Sequence, residues 1–202
     1  MFVTFEGLDG SGKSTLARAL GDALVSEGYE VVHTREPGGT PVGTQIRELL
    51  LNQGEITNEA ELFLFLADRS ENIHQLVKPA SEAGKIVLCD RHADSTLVYQ
   101  GYGRGLDLAT LRTLNSMATR GRVPDLTFLL DLEVETALKR QLERNRLGSQ
   151  PVDFYDRVRA GFLAEAAREP HRWSVLEATR STDHLVKLAL ATVRDRLPHQ
   201  NG

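Results

Sequence analysis

Gly7-Leu8-Asp9-Gly10-Ser11-Gly12-Lys13-Ser14 decides how this chain is read. The stretch fits G-x-x-x-x-G-K-[ST], with the apolar segment Phe2 to Phe5 before it and a helical pattern after it. A phosphate chain is gripped best by backbone N–H groups converging on it, which needs a wrapped loop free of side-chain bulk. Glycines permit that loop, and a helix opening near Lys13 turns the positive end of its dipole toward the anion. Lys13 then places its ammonium on the terminal phosphates, and the Ser14 hydroxyl ligates Mg²⁺. The plain alternative is a glycine-rich turn before an amphipathic helix, and the strand–loop–helix setting favours the phosphate cradle. By itself the loop marks only a nucleoside triphosphate site, which many unrelated enzymes carry.

Outward from the loop, five short apolar segments alternate with longer helical patterns. The segments are Phe2 to Phe5, Glu30 to Thr34, Lys85 to Cys89, Leu126 to Asp131 and Trp173 to Glu177. Several lack clean polar alternation, as strands covered on both faces do. Helices are expected at 13–27, 41–52, 58–83, 93–101, 107–119, 133–146, 154–168 and 181–197, the first placing Leu16, Ala19, Leu20, Ala23 and Leu24 on one face. This alternation predicts a doubly wound α/β domain with a parallel sheet and right-handed crossovers. With 202 residues, 41% of them hydrophobic and 26% charged, a single globular domain over 1–202 is expected. The net charge of −4 argues against a dedicated nucleic-acid partner, and no apolar run is long enough for a membrane span. One cysteine, Cys89, rules out an internal disulfide and suits a reducing cytoplasm, where it reads as a core residue. His33, His74, His171, His184 and His199 lack metal-ligand spacing, and the tail 198–202 is expected to fray.

Polar clusters follow the strands. Asp90-Arg91-His92 comes directly after Lys85 to Cys89, at the strand end that faces the ligand crevice of an open sheet. If that strand lies beside the first, Asp90 supports hydrated Mg²⁺ and Arg91 meets phosphate. Arg35-Glu36-Pro37-Gly38-Gly39 follows the second strand in the same way. Phe65 and Arg69, four apart on a long helix, share a face, and a ring beside a guanidinium suits a flat base with an edge carbonyl. Taken singly, Phe65 also fits a core and Arg69 a surface.

Glu6-Gly7-Leu8-Asp9-Gly10, Arg35-Glu36-Pro37-Gly38-Gly39, Asp90-Arg91-His92 and Tyr99-Gln100-Gly101 together resemble the thymidylate kinase family, the dTMP kinases of bacteria. The resemblance implies a P-loop kinase fold with a five-stranded parallel sheet, flanking helices and a short lid at about 141–152. It implies transfer of the γ-phosphoryl of Mg-ATP to dTMP, in dTTP biosynthesis, by a homodimer. Gly7, Leu8, Asp9, Gly10, Ser11, Gly12, Lys13, Ser14, Thr15 and Arg144 would bind ATP, with the 178–180 turn near adenine, and Ser14 and Asp90 would serve the metal. On the acceptor side Phe65 would stack on thymine, Arg69 would bond its O4, and Gln100 and Thr96 would meet N3. Tyr99 would pack by C2′, Asp9 would accept the 3′-OH, and Arg91, Arg35 and Arg47 would bind the phosphate beside Glu36. The family's Glu36–Pro37 bond is cis. Catalysis would fall to Lys13, Arg91, Asp90 and a lid arginine, with Arg146 placed ahead of Arg144 and Arg140. His92 is expected to hydrogen-bond within the fold, since a phosphate acceptor needs no general base. A P-loop kinase for another nucleotide, or an ATP-switched regulator without turnover, remains the alternative.

Overall fold

Five short segments rich in Val, Ile, Leu and Phe form the strands of one sheet, each within a residue of its expected bounds. The computed structural model describes residues 1–52, 54–140 and 150–197. In chain order β1 (Phe2–Glu6) leads to α1 (Lys13–Ser26), β2 (Val31–Arg35), α2 (Pro41–Asn52) and α3 (Asn58–Asn72). After α4 (Lys78–Glu82) come β3 (Ile86–Asp90), α5 (Ala93–Thr96) and α6 (Leu108–Thr119). The last elements are β4 (Leu126–Asp131), α7 (Val134–Arg140), α8 (Val152–Arg168), β5 (Trp173–Glu177) and α9 (Thr182–Arg194). All strand pairs are parallel, in the order β2-β3-β1-β4-β5.

The central strand β1 is buried along its whole length, which explains why its sequence is apolar on both faces. Val3 and Phe5 join the larger core with α1, α8 and α9, while Phe2 packs on the opposite side with Ile73, Val77 and Cys89. Thr4 reaches the Thr127 hydroxyl at 2.8 Å across β1 and β4, so these buried polar groups satisfy each other.

Two helices depart from regular α geometry. The helix expected over 58–83 is continuous but contains a π turn at Ile73–Val77 between α3 and α4. The one expected over 93–101 runs to Gly103, and its Leu97–Gly103 part is π. Insertions of this kind gather at functional sites, and this one carries Tyr99 and Gln100. The helix expected over 133–146 is described from Val134 to Arg140. Residues 141–149 and 198–202, with Arg144, Arg146, most of the expected lid and the tail, lie outside the described residues.

Register places the chain exits side by side. Phe5 of β1 and Arg35 of β2 both pair with Asp90 at the end of β3. Gly7, which follows β1, has φ +136, and a Cβ there would sit 2.6 Å from the Leu130 carbonyl oxygen. Gly28 has φ +88 but open space around it. Gly28→Ala should therefore cost only the left-handed backbone strain, about 1–2 kcal/mol. Gly7→Ala should cost clearly more, because the β4 carbonyl must move as well. Urea unfolding of the two variants compares them, and equal midpoints would contradict the close approach of the loop to β4.

Candidate active site

The loop after β1 wraps because Gly7, Gly10 and Gly12 all take positive φ. Gly12 caps α1 without a side-chain hydrogen bond, and no acidic residue occupies the first turn, so the helix opening keeps its donors and its positive end for a ligand. Lys13 is buried and its Nζ donates to the Leu8 carbonyl at 2.8 Å, with Asp9 at 3.7 Å. Burial, and next the charge of Arg91, push its pKa below the ordinary lysine value. The Ser11 hydroxyl is buried without a hydrogen-bond partner among the described residues. The loop thus presents an unpaired buried hydroxyl and a buried cation, which an anion would satisfy.

Asp90 ends β3 beside this loop. Its Oδ2 accepts from the Ser14 hydroxyl, while its Oδ1 is buried and has no hydrogen-bond partner among the described residues. A free carboxylate oxygen next to a hydroxyl is the hard oxygen donor set that magnesium takes alongside its waters. The residues therefore fit the ion. Among the described residues no cluster of three or more His, Cys, Asp or Glu could hold a metal by protein ligands alone.

Arg91 follows with φ 70, one of two non-glycine residues at positive φ among those described. A non-glycine residue held at positive φ stores strain of the kind that gathers at functional sites, and Arg91 is half-buried here. The turn aims the guanidinium back over β1, where Nη2 bonds Asp9 at 2.6 Å and Tyr99 at 3.2 Å, and Nη1 bonds Ser95 at 3.1 Å. Desolvation raises the Asp9 pKa, but Arg91 and Lys13 outweigh it and hold the carboxyl well below the usual range.

A cavity of about 280 Å³ opens next to this turn. Its lining brings together Asp9, Glu36, Arg47, Phe65, Arg69, Arg91, Thr96, Tyr99 and Gln100, all the expected acceptor residues except Arg35. Arg35 is exposed at the end of β2, near enough to Arg47 for its charge to lower the Arg47 pKa, after burial. Arg35 is thus the one expected acceptor residue outside the lining. The chain turns away after Arg35 through a cis Glu36–Pro37 bond, the isomer the resemblance implies. Glu61, His92, Ser95, Arg104, Leu51, Pro37 and Phe154 also border the cavity, and the sequence reading did not give them ligand roles.

Arg69 is 1% exposed, and most of its donors are committed. Nε bonds Glu36 at 2.8 Å, Nη1 bonds Thr96 at 2.9 Å and Asn115 at 2.8 Å, and Nη2 bonds the His92 carbonyl at 3.0 Å. A guanidinium has five N–H donors, so one Nη2 hydrogen has no partner among the described residues, and Arg69 borders the cavity. Glu36 is the hub beneath it, accepting also from Asn72 and bonding His92 Nδ1 at 2.9 Å. Desolvation raises the Glu36 pKa, and His92 and Arg69 overcome it to hold the group at about 2. His92 is fully buried and committed to this hub.

The charges of the cavity are arranged in pairs: Asp9 with Arg91, Glu36 with Arg69, and Glu61 with Arg104. Arg47 bonds the neutral Pro37 carbonyl at 3.0 Å and has no ion pair among the described residues. One unmatched cation beside an apolar ring suits a ligand with an anion at one end and a flat base at the other. A second, smaller cavity of about 160 Å³ flanks the loop from the other side. Ser11, Gly12, Thr15, Arg140, Ala178 and Arg180 border it, where the nucleoside of a triphosphate held by the loop would extend.

Comparison with known proteins identifies the family. The family model "Thymidylate kinase" matches residues 5–189. The thymidylate kinase of Desulfovibrio desulfuricans is 50% identical over 198 residues, covering 92% of this chain and 91% of that protein. That of Nitratidesulfovibrio vulgaris is 49% identical over 199 residues, covering 93% and 89%. The crystal structure of thymidylate kinase from Ehrlichia chaffeensis superposes with a TM-score of 0.82 at 36% identity, covering 96% of this chain and 98% of that one.

Glu6, buried at the end of β1, supports the Arg91 turn: Oε1 accepts from the His92 N–H at 2.8 Å and Oε2 from Ser95 at 2.6 Å. Desolvation, then the charge of Asp94, raise its pKa from 4.5 to about 7. Between these values the folded chain holds a proton that the unfolded chain has released. The contribution of Glu6 to stability is therefore full below about pH 4.5 and lost as pH rises through about 7. Glu6→Gln should flatten the fall in stability across this window, by on the order of 2 kcal/mol. Urea unfolding of both proteins at about pH 5 and about pH 7.5 measures it, and parallel pH profiles would contradict the assignment.

Proposed function

Because the chain belongs to the thymidylate kinase family and phosphorylates dTMP to dTDP, we propose that its two cavities divide the substrates across the β1–β3 seam. The larger holds dTMP; the loop and the smaller cavity hold ATP. The observation that carries this reading is the convergence of Phe65, Arg69, Gln100, Arg91 and the unpaired Arg47 on one cavity beside the loop. Phe65 stacks on thymine, the spare Nη2 hydrogen of Arg69 meets O4, and Gln100 with Thr96 faces N3. Tyr99 crowds C2′ and Asp9 takes the 3′-OH. Arg91 and Arg47 bind the phosphate, and Arg35 contributes at longer range.

In the transfer, an oxygen of the dTMP phosphate attacks the γ-phosphorus of ATP. A new P–O bond forms as the bond to the β–γ bridging oxygen breaks, and ADP leaves. The acceptor monoester has a second pKa of about 6 and is largely dianionic at neutral pH, so no protein base is needed. The work is positioning and charge stabilisation. Lys13 and the backbone of Gly7, Leu8, Gly10, Ser11 and Gly12 hold the donor phosphates, with Ser14 and Thr15 at the helix opening. Arg91, anchored by Asp9, Ser95 and Tyr99, bridges toward the acceptor oxygen. Ser14 and Asp90 would hold magnesium, which when bound offsets negative charge on the triphosphate. Arg144 and Arg146 are assigned to the segment that covers ATP, with Arg146 as the catalytic arginine.

The enzyme is further proposed to be a cytoplasmic homodimer, which the buried Cys89 and the exposed apolar residues of two packed helices support. Phe63 of α3 and Met117 of α6 are 60% and 78% exposed, a large apolar area for a second copy to cover. No described helix is long and apolar enough to cross a membrane.

Two kinetic outcomes test the assignments. Arg69→Ala should raise the KM for dTMP far more than that for ATP, and equal losses would remove Arg69 from the acceptor site. Arg146→Ala should lower kcat by about 10³-fold or more with the dTMP KM little changed, by comparison with arginine fingers elsewhere. A loss below about tenfold would move that role to Arg144 or Arg140. Both are read from ADP release coupled to dTMP, with dUMP, UMP, CMP, AMP and GMP as the comparison panel.

A further inference from the structure

Glu61, Phe65 and Arg69 stand at i, i+4 and i+8 of α3, and all three border the acceptor cavity. The ring and the guanidinium have parts in the base site described above; the carboxylate has none so far. Its side chain is 1% exposed. Oε1 accepts from Gln100 Nε2 at 3.0 Å and from Arg104 Nε at 3.0 Å, and Oε2 accepts from Arg104 Nη2 at 3.1 Å. A carboxylate engaged in this way offers acceptors alone. The Gln100 amide can bond it only through nitrogen, so its oxygen must turn the other way. Gln100 borders the cavity, and its Oε1 accepts no hydrogen bond from the described residues, yet it is not among the sealed, partnerless atoms. That oxygen opens on the cavity.

We propose that Glu61 is a positioning residue that sets the choice of base by locking the Gln100 amide with its oxygen toward the ligand. The inference rests on the placement of the dTMP base in this cavity. Thymine presents an N3–H donor beside an O4 acceptor. The locked site answers with an acceptor, Gln100 Oε1, beside a donor, the spare Nη2 hydrogen of Arg69. Cytosine presents the reverse, an N3 acceptor beside an N4 amino donor, and meets a mismatch at both positions. A free amide could flip and offer its N–H to cytosine N3, so without the lock one of the two mismatches disappears. Uracil shares the thymine edge, and this device does not read the methyl group. Polar mismatches of this kind reject an analogue far more strongly than a missing methylene does.

Glu61→Gln replaces the carboxylate by a group of the same shape that can donate or accept, so it no longer dictates how Gln100 turns. The kcat/KM ratio for dTMP over dCMP should fall by about tenfold or more in this variant, while the KM for ATP stays within about twofold. The exchanged pair Glu61→Gln/Gln100→Glu puts a donor at 61 and a carboxylate at 100. An acceptor then faces the base again, with Arg104 one turn away and able to pair with it. This double variant should regain most of the dTMP preference, which a merely structural role for Glu61 would not produce, and it tests the inference even if the single variant unfolds. An unchanged ratio in a folded Glu61→Gln protein, or an exchanged pair that does not prefer dTMP, would overturn the proposal. Phe65→Ala separates this from the underlying reading: if it leaves the dTMP KM unchanged, the base is not in this cavity and both ideas fall.

Discussion

Parallel pairing of β1 with β3 is the constraint on which the site depends. It brings Phe5 level with Asp90, so the chain leaves both strands at the same height and on the same edge. From one exit grows the glycine loop with Lys13 and Ser14, and from the other the Asp90–Arg91 turn. Two polyanions repel each other strongly, and a site that joins them must place cations at the seam before either arrives. In the proposed reading Arg91 would meet that need: its backbone sits at φ 70 and its guanidinium is held by Asp9 from β1's loop and by Ser95 and Tyr99 from the following helix. Glu6 accepts from the next peptide N–H and from Ser95, so the turn is braced from the central strand.

Behind this seam lies an unusual density of buried charge. Arg69, Glu36, His92 and Asn72 form one network, and Glu61, Gln100 and Arg104 form another. Buried ion pairs are weak contributors to net stability, because desolvation offsets much of their attraction. Their value here is geometric. Each network fixes the direction of a single free group, the last Arg69 hydrogen in one case and the Gln100 oxygen in the other. In the proposed reading, a base edge would meet groups already turned to receive it, with little ordering left to be done on binding.

Much of this was legible in the sequence. The five strands were readable from apolar runs because covered parallel strands need no polar alternation, and their bounds differ from the observed ones by at most one residue. The phosphate loop was readable because glycine spacing, lysine and hydroxyl each have a chemical reason to be there. The acceptor residues came mainly through family resemblance, and the cavity brings them together apart from Arg35, which lies exposed at the end of β2 outside the lining. Glu61 escaped notice because a glutamate in the first turn of a helix reads as an ordinary dipole partner. Its period-four spacing with Phe65 and Arg69 was the available signal. The π turns at Ile73–Val77 and Leu97–Gly103 were not readable from the periodicity, because five and seven residues are too few to establish a changed repeat. Arg104 and Phe154 reach the cavity from the end of the second π turn and from α8, distances in sequence that no local pattern spans.

If the two nucleotides meet end to end across β1 and β3, a single molecule should be able to fill both places. A thymidine and an adenosine joined at their 5′ positions by a chain of phosphates, titrated calorimetrically against the enzyme with magnesium, examines this. One molecule should bind per chain, more tightly than either ATP or dTMP, and be displaced by each of them. Binding that competes with only one of the two nucleotides, or two molecules bound per chain, would show that the cavities are not joined at the seam.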